Sequence, residues 1–85
     1  MKKTDKMEHE LKILPEYFEA LRSSRKKFEL RRNDRGFSVG DILILREWNG
    51  KDYSGRCVRC HVDYMLENCD GLDPRYVIMS VSLCQ

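Results

Sequence analysis

The spacing of apolar residues changes period several times along the chain. "HELKIL", His9 to Leu14, alternates Leu11 and Ile13 with Glu10 and Lys12, the period of two that a half-buried strand shows. Pro15 then opens "PEYFEALRSS". Its fixed φ suits the first turn of a helix, and Tyr17, Phe18 and Leu21 fall on one helical face, which predicts a short helix of about ten residues. Beyond it Phe28 and Leu30 alternate with Glu29 and Arg31. This is a second strand, in which the apolar pair is expected to anchor the segment while the charged pair shares the opposite face. "NDRGFSVGD" ends it with turn chemistry. "DILILREW", Asp41 to Trp48, is a nearly unbroken apolar run expected to be buried on both sides, and Asn49-Gly50 after it is a hairpin signal. "RCVRCHVDYML" places Val58, Cys60, Val62, Tyr64 and Leu66 on one face, so Tyr64 is expected in the core. "RYVIMSVSL" groups Val77, Met79, Val81 and Leu83.

Residues 1–7 show no such period and read as a flexible N-terminal tail, leaving residues 8–85 as one domain. A chain of 85 residues supports a single core. The predicted order is strand, helix, then four strands. Five short strands in so small a chain bury their apolar faces best by curling into a barrel that the helix covers on one side. The expected class is therefore α+β with a small β-barrel of about five strands flanked by a short N-terminal helix.

Charge adds an asymmetry to this picture. Residues 1–35 hold eleven basic and seven acidic side chains, whereas residues 36–85 hold five and seven. Between Arg22 and Arg35 there are seven basic side chains and two acidic ones, a stretch that attracts phosphate or other anions. No apolar run approaches the length of a membrane span, and "MKKTDKMEHE" lacks the apolar segment of a secretory signal, so a cytoplasmic location is expected. Cys57, Cys60, Cys69 and Cys84 are then expected as reduced thiols. Cys57-x-x-Cys60 has a spacing used for zinc, but on a continuous strand positions i and i+3 point to opposite faces, so neither metal nor cofactor is expected.

The segments "HELKILPEYFEALRSSRKKFELRRNDRGFSVGDILILREWN", "YSGRCVRCHVDYML" and "GLDPRYVIMSVSL" resemble the PUA-like ASCH superfamily and, within it, the uncharacterised family labelled domain of unknown function 3850. The resemblance runs from His9 to Leu83. It is carried by Ser24, Arg25, Lys26, Phe28, Glu29, Leu30 and Arg31, by Asn33-Asp34-Arg35, and by Val39-Gly40-Asp41 with Leu45-Arg46-Glu47. It implies a β-barrel flanked by helices that binds RNA or modified nucleosides in a cleft beside the barrel. Some small superfamily members hydrolyse N4-acetylcytidine through a pattern similar to Gly-x-Lys-Thr-x-Thr-x-Arg. Lys26 and Arg31 stand at matching places here. Lys27 replaces the first Thr, Glu29 stands where the nucleophilic Thr would be, and Ser24 replaces the Gly, a change expected to be harmless if its backbone is ordinary.

The candidate site follows from both lines. Glu29 and Arg31 on one strand face, with Lys26 at the helix-to-strand junction, form a carboxylate between two cations, suited to gripping a base edge and a phosphate or carbonyl. Arg35 is a further anion contact. His9 and Lys12, at places where the family has His and Lys, are expected at the rim, with His9 a candidate general acid or base. Trp48 and Tyr76, near strand ends, are candidates for stacking a base. The expected function is binding of RNA or a nucleotide-like ligand in a basic cleft, with no membrane partner. The alternatives are an amidohydrolase acting on a modified nucleoside such as N4-acetylcytidine, with Lys26 as base and Glu29 orienting water, and a protein-interaction module.

Overall fold

A computed structural model describes residues 6–84. Five strands and one helix follow in the order β1 (Glu8–Ile13), α1 (Pro15–Arg22), β2 (Phe28–Arg32), β3 (Ile42–Trp48), β4 (Tyr53–Leu66) and β5 (Tyr76–Leu83). They build one mixed sheet in the spatial order β1-β3-β4-β5-β2, curled strongly into a half-barrel with the helix against it: an α+β domain. β1 runs parallel to β3, and every other pairing is antiparallel. The flexible tail expected over residues 1–7 falls mostly outside the described residues. Met7 is described, and it is tied to the domain: its N–H donates to Asp41 Oδ1 at 3.2 Å and its carbonyl accepts from Ile42 N–H at 2.9 Å.

The concave side of the sheet holds the core. Leu11 and Ile13 from β1, Leu43 and Leu45 from β3, Cys60 and Val62 from β4, and Val77, Met79 and Val81 from β5 are buried there, with Phe18 and Leu21 of α1 closing one side. The helix is held down by charge as well. Glu47, buried on β3, accepts two hydrogen bonds from Arg56 at 2.9 Å each and one from Ser54 Oγ at 2.6 Å. Arg56 also reaches Glu19 on the helix at 2.8 Å and lies 4.6 Å from the Phe18 ring centroid. The hydrogen bonds from Arg56 and Ser54 hold the Glu47 carboxyl below the usual carboxylate range.

Three expectations about side-chain direction are corrected. In β2 the alternation is as read but its polarity is reversed: Phe28 and Leu30 are 49% and 52% exposed, while Glu29 is 2% exposed and turns into the half-barrel. Tyr64 is 67% exposed, not in the core. The register of β4 against β5 slips between Val62 and Tyr64, a bulge that moves Tyr64 outward and brings Met65 against the core instead. In β3, Ile42, Leu43 and Leu45 are buried but Ile44 is only partly so, because that strand has a solvent side.

Candidate functional site

The helix end fixes where the site begins. Ser23 caps α1, and the chain leaves it through a Schellman turn: Ser24 N–H donates to Leu21 O at 3.0 Å and Arg25 N–H to Ala20 O at 2.9 Å. Lys26 N–H bonds the same Ala20 carbonyl at 2.9 Å, so Lys26 enters β2 from a defined position. The turn requires a left-handed residue, and Ser24 supplies it with φ +63°. The condition under which serine in place of glycine is harmless, an ordinary backbone, is therefore not met, and the serine carries strain that glycine would not.

From there β2 pairs with β5, setting Glu29 opposite Met79 and Arg31 opposite Val77, both fully buried partners. Glu29 thus stands at what would otherwise be a core position. Lys26 Nζ hydrogen-bonds its Oε1, and Arg31 Nε donates to Oε2 at 2.9 Å. Lys26 Nζ also donates to Phe28 O at 2.6 Å and lies 4.9 Å and 5.9 Å from the ring centroids of Phe28 and Tyr17. Arg31 Nη2 donates to Lys12 O on β1 at 3.0 Å. Among the described residues, Arg31 Nη1 has no hydrogen-bond partner, and one of the three ammonium protons of Lys26 is similarly uncommitted. Behind the site, burial first and then the charge of Glu29 push the Cys60 thiol up to about 12.

These groups form the floor of a cavity of about 730 Å³, within the usual size range for small-molecule pockets. Its walls are Leu14 and Tyr17 on one side and Phe28 and Leu30 on the other, with Lys12 and Arg25 adding positive charge. A second, smaller cavity of about 360 Å³ lies along the gap between the edge strands β1 and β2 and is lined by Glu10, Leu11, Lys12, Arg31, Arg35, Arg46 and Tyr53. Arg35 Nη1 donates there to Glu10 O at 2.9 Å.

Of the residues picked from sequence, Lys12, Lys26, Glu29 and Arg31 meet in the larger cavity, and Arg35 joins Lys12 and Arg31 in the smaller one. Trp48 is next to Lys12, whose Nζ is 4.5 Å from its ring centroid. His9, Trp48 and Tyr76 line neither cavity. His9 is buried, bonded to Asp41 Oδ2 at 2.9 Å and packed edge-on against Phe37 at 4.8 Å. Tyr76 lies beside Arg32 at the far end of β2. Burial raises the Asp41 pKa, but hydrogen bonds from His9 and from Met7 and Ser38 N–H outweigh it, leaving the carboxyl below its ordinary value. Cys57 is exposed and Cys60 buried, on opposite faces of β4.

Sequence reading missed Tyr17, Arg25, Phe28 and Leu30 as cavity residues. Tyr17 was expected in the helix's core face, but Phe18 and Leu21 fill that face and leave Tyr17 46% exposed at the cavity. A signal for Phe28 and Leu30 was available in their charged neighbours. Alternation alone could not say which of the two sets faced inward.

A family model described as "Domain of unknown function (DUF3850)" matches residues 8–81. The chain is also 34% identical over 71 residues to a protein of Escherichia phage P2 described as "Uncharacterized 12.9 kDa protein in GpA 3'region". That match covers 84% of this chain and 64% of the relative, so the chain spans a little under two thirds of the phage protein's length. The ion-paired carboxylate at position 29 and the turn that feeds it lie wholly within the matched segment, and the chain belongs to the DUF3850 family.

Proposed function

We infer that the larger cavity binds a nucleotide-like ligand or a nucleotide of RNA. The observation that carries this reading is Glu29, 2% exposed and held between Lys26 and Arg31 on the floor of an open cavity with aromatic walls. A pair of cations fixed by a shared carboxylate loses little freedom on meeting a phosphate or a base carbonyl. Their remaining N–H groups supply the donors, and Lys12 and Arg25 add to the attraction. Tyr17 and Phe28 offer faces on which a base stacks, and stacking is tolerant of base identity. The resemblance to the PUA-like ASCH superfamily supports the same reading.

An amidohydrolase acting on a modified nucleoside is the second reading, favoured by the direct Lys26–Glu29 hydrogen bond. Weighing against it, both Glu29 oxygens already accept from cations, and Lys26 spends two donors inside the protein. Thermal-shift titration with nucleosides, nucleotides and short RNAs tests the binding reading, because a ligand selective for the folded state raises its stability by about 2.7 kcal/mol at a hundredfold excess over Kd. Arg31→Ala is expected to weaken binding at least tenfold, and rising salt to weaken it further. No shift with any of these ligands sinks the reading and leaves a protein-interaction role. Release of acetate from N4-acetylcytidine, lost in Lys26→Ala, establishes the enzyme instead.

A further inference from the structure

We propose that the gap between β1 and β2 is a phosphodiester track, so that the ligand is a single-stranded polynucleotide with one nucleotide in the larger cavity and the next phosphates along the gap. This rests on the nucleotide reading of the larger cavity and goes beyond it by naming the class of ligand and a second compartment.

The two cavities share Lys12 and Arg31 in their linings and therefore adjoin. The gap arises because the half-barrel does not close: β1 and β2 are the two edges of the sheet. In place of a backbone ladder, two guanidinium groups dock on β1 carbonyls, Arg31 on Lys12 O at 3.0 Å and Arg35 on Glu10 O at 2.9 Å. Those carbonyls are two residues apart on one strand, about 6.6 Å. That spacing is comparable to the separation of neighbouring phosphates on an extended single strand. Each arginine uses only part of its donor fork on the carbonyl.

Arg46 lies alongside, 3.6 Å from Glu10 and with its guanidinium 4.2 Å from the Tyr53 ring centroid. The gap thus presents Lys12, Arg31, Arg35 and Arg46, with Glu10 the one carboxylate in its lining and Tyr53 its aromatic ring; Arg31 is also held by Glu29 at 2.9 Å, and Arg35 lies 4.0 Å from Asp34. A mononucleotide seated over Glu29 leaves this compartment empty. A chain of nucleotides fills both. A base enters the larger cavity only when unstacked from its neighbours, which favours a single strand over a duplex.

The test is calorimetric titration of the whole chain with the four ribonucleoside 5′-monophosphates and the matching 5′-phosphorylated homotrinucleotides, the latter as RNA and as DNA. The best trinucleotide is expected to bind at least about tenfold more tightly than its monophosphate. Two added phosphate contacts are expected to steepen its salt dependence by about 1.4 in log–log slope. Arg46→Ala, at an exposed position whose carboxylate partner is also exposed, removes most of the trinucleotide's advantage, and a thermal melt confirms that this variant is folded. A gain confined to RNA assigns RNA as the ligand, and an equal gain with DNA assigns a single strand of either sugar. A trinucleotide no tighter than a well-bound monophosphate overturns the track and leaves the cavity reading standing. Failure of every probe overturns both.

Discussion

Replacing Glu29 by alanine removes the acceptor that two cations share. The side chain is 3% exposed, whereas Lys26 and Arg31 are 15% and 23% exposed. Breaking a fully buried pair from one side costs about 3–5 kcal/mol, because the orphaned charge stays desolvated. Here both orphans are nearer solvent than the carboxylate and recover part of their hydration. Loss of the acceptor and of its packing against Met79 is therefore expected to cost about 2–3 kcal/mol, below the range for a fully buried charge partner and within that for a buried group left unsatisfied. For a domain of this size that is a fall in Tm of roughly 8–24 °C. Glu29→Gln keeps the shape and one acceptor oxygen, so it is expected to lose about half as much. Calorimetric or circular-dichroism melts of the two variants at low salt and at high salt provide the measurement. The wild-type advantage should survive high salt, since a pair this close to the core is weakly screened. A loss below about 0.5 kcal/mol for Glu29→Ala, or one that vanishes in salt, would refute the placement of this carboxylate beneath its cations.

Ser24→Gly relieves the left-handed strain at the helix exit and is expected to stabilise the fold by about 1 kcal/mol, read as a rise in Tm, while Ser24→Ala gives no such gain. Asp41 and Glu47 titrate below their ordinary values of 3.8 and 4.5, so the unfolded chain takes up protons at a pH where the folded chain does not. Their contribution is complete above those values and is lost as pH falls through the lower folded-state values. Acid unfolding followed by circular dichroism should therefore begin below about pH 4.5, and Arg56→Ala should move its midpoint upward by freeing Glu47. With its pKa pushed up to about 12 and no exposed surface, Cys60 should resist a thiol reagent in the folded protein at neutral pH, whereas exposed Cys57 reacts promptly; denaturant should release Cys60.

Periodicity carried the reading of β1 and β5 because both have one wet face and one dry face, and Leu11, Ile13, Val77, Met79 and Val81 repeat with the pleat. Pro15 and the Ser23-Ser24 pair marked the helix to within two residues. β2 shows where the pattern has no sign. A strand of alternating apolar and charged residues is equally regular whichever set points inward, and only the cations around Glu29 make the charged set the buried one. Tyr64 was misplaced by a single slipped residue at a bulge, which hydrophobic alternation cannot register. The approach of Lys12 to Arg31, 19 positions along the chain, depends on the sheet curling until its first and last strands face each other. That is a property of the complete topology. No local segment encodes it.

The location of the charges follows from that same curl. At each interior strand of the half-barrel the concave face is filled by residues such as Leu45, Val62 and Met79, packed on both sides by neighbours. β2 has a hydrogen-bonded neighbour on one side only, so its inward residues meet the core at Met79 and Val77 and an unfilled space beyond. Apolar side chains at positions 29 and 31 would have extended the core into that space and drawn the edges together. A carboxylate and a guanidinium hold it open, because each must keep polar partners: Glu29 takes Lys26 and Arg31, and Arg31 takes a β1 carbonyl. Buried ion pairs seldom stabilise a fold better than well-packed apolar residues of the same volume. An arrangement that gives up core contacts at the one place where the barrel is incomplete makes sense if the opening itself is used, with the retained cations turned toward whatever enters it.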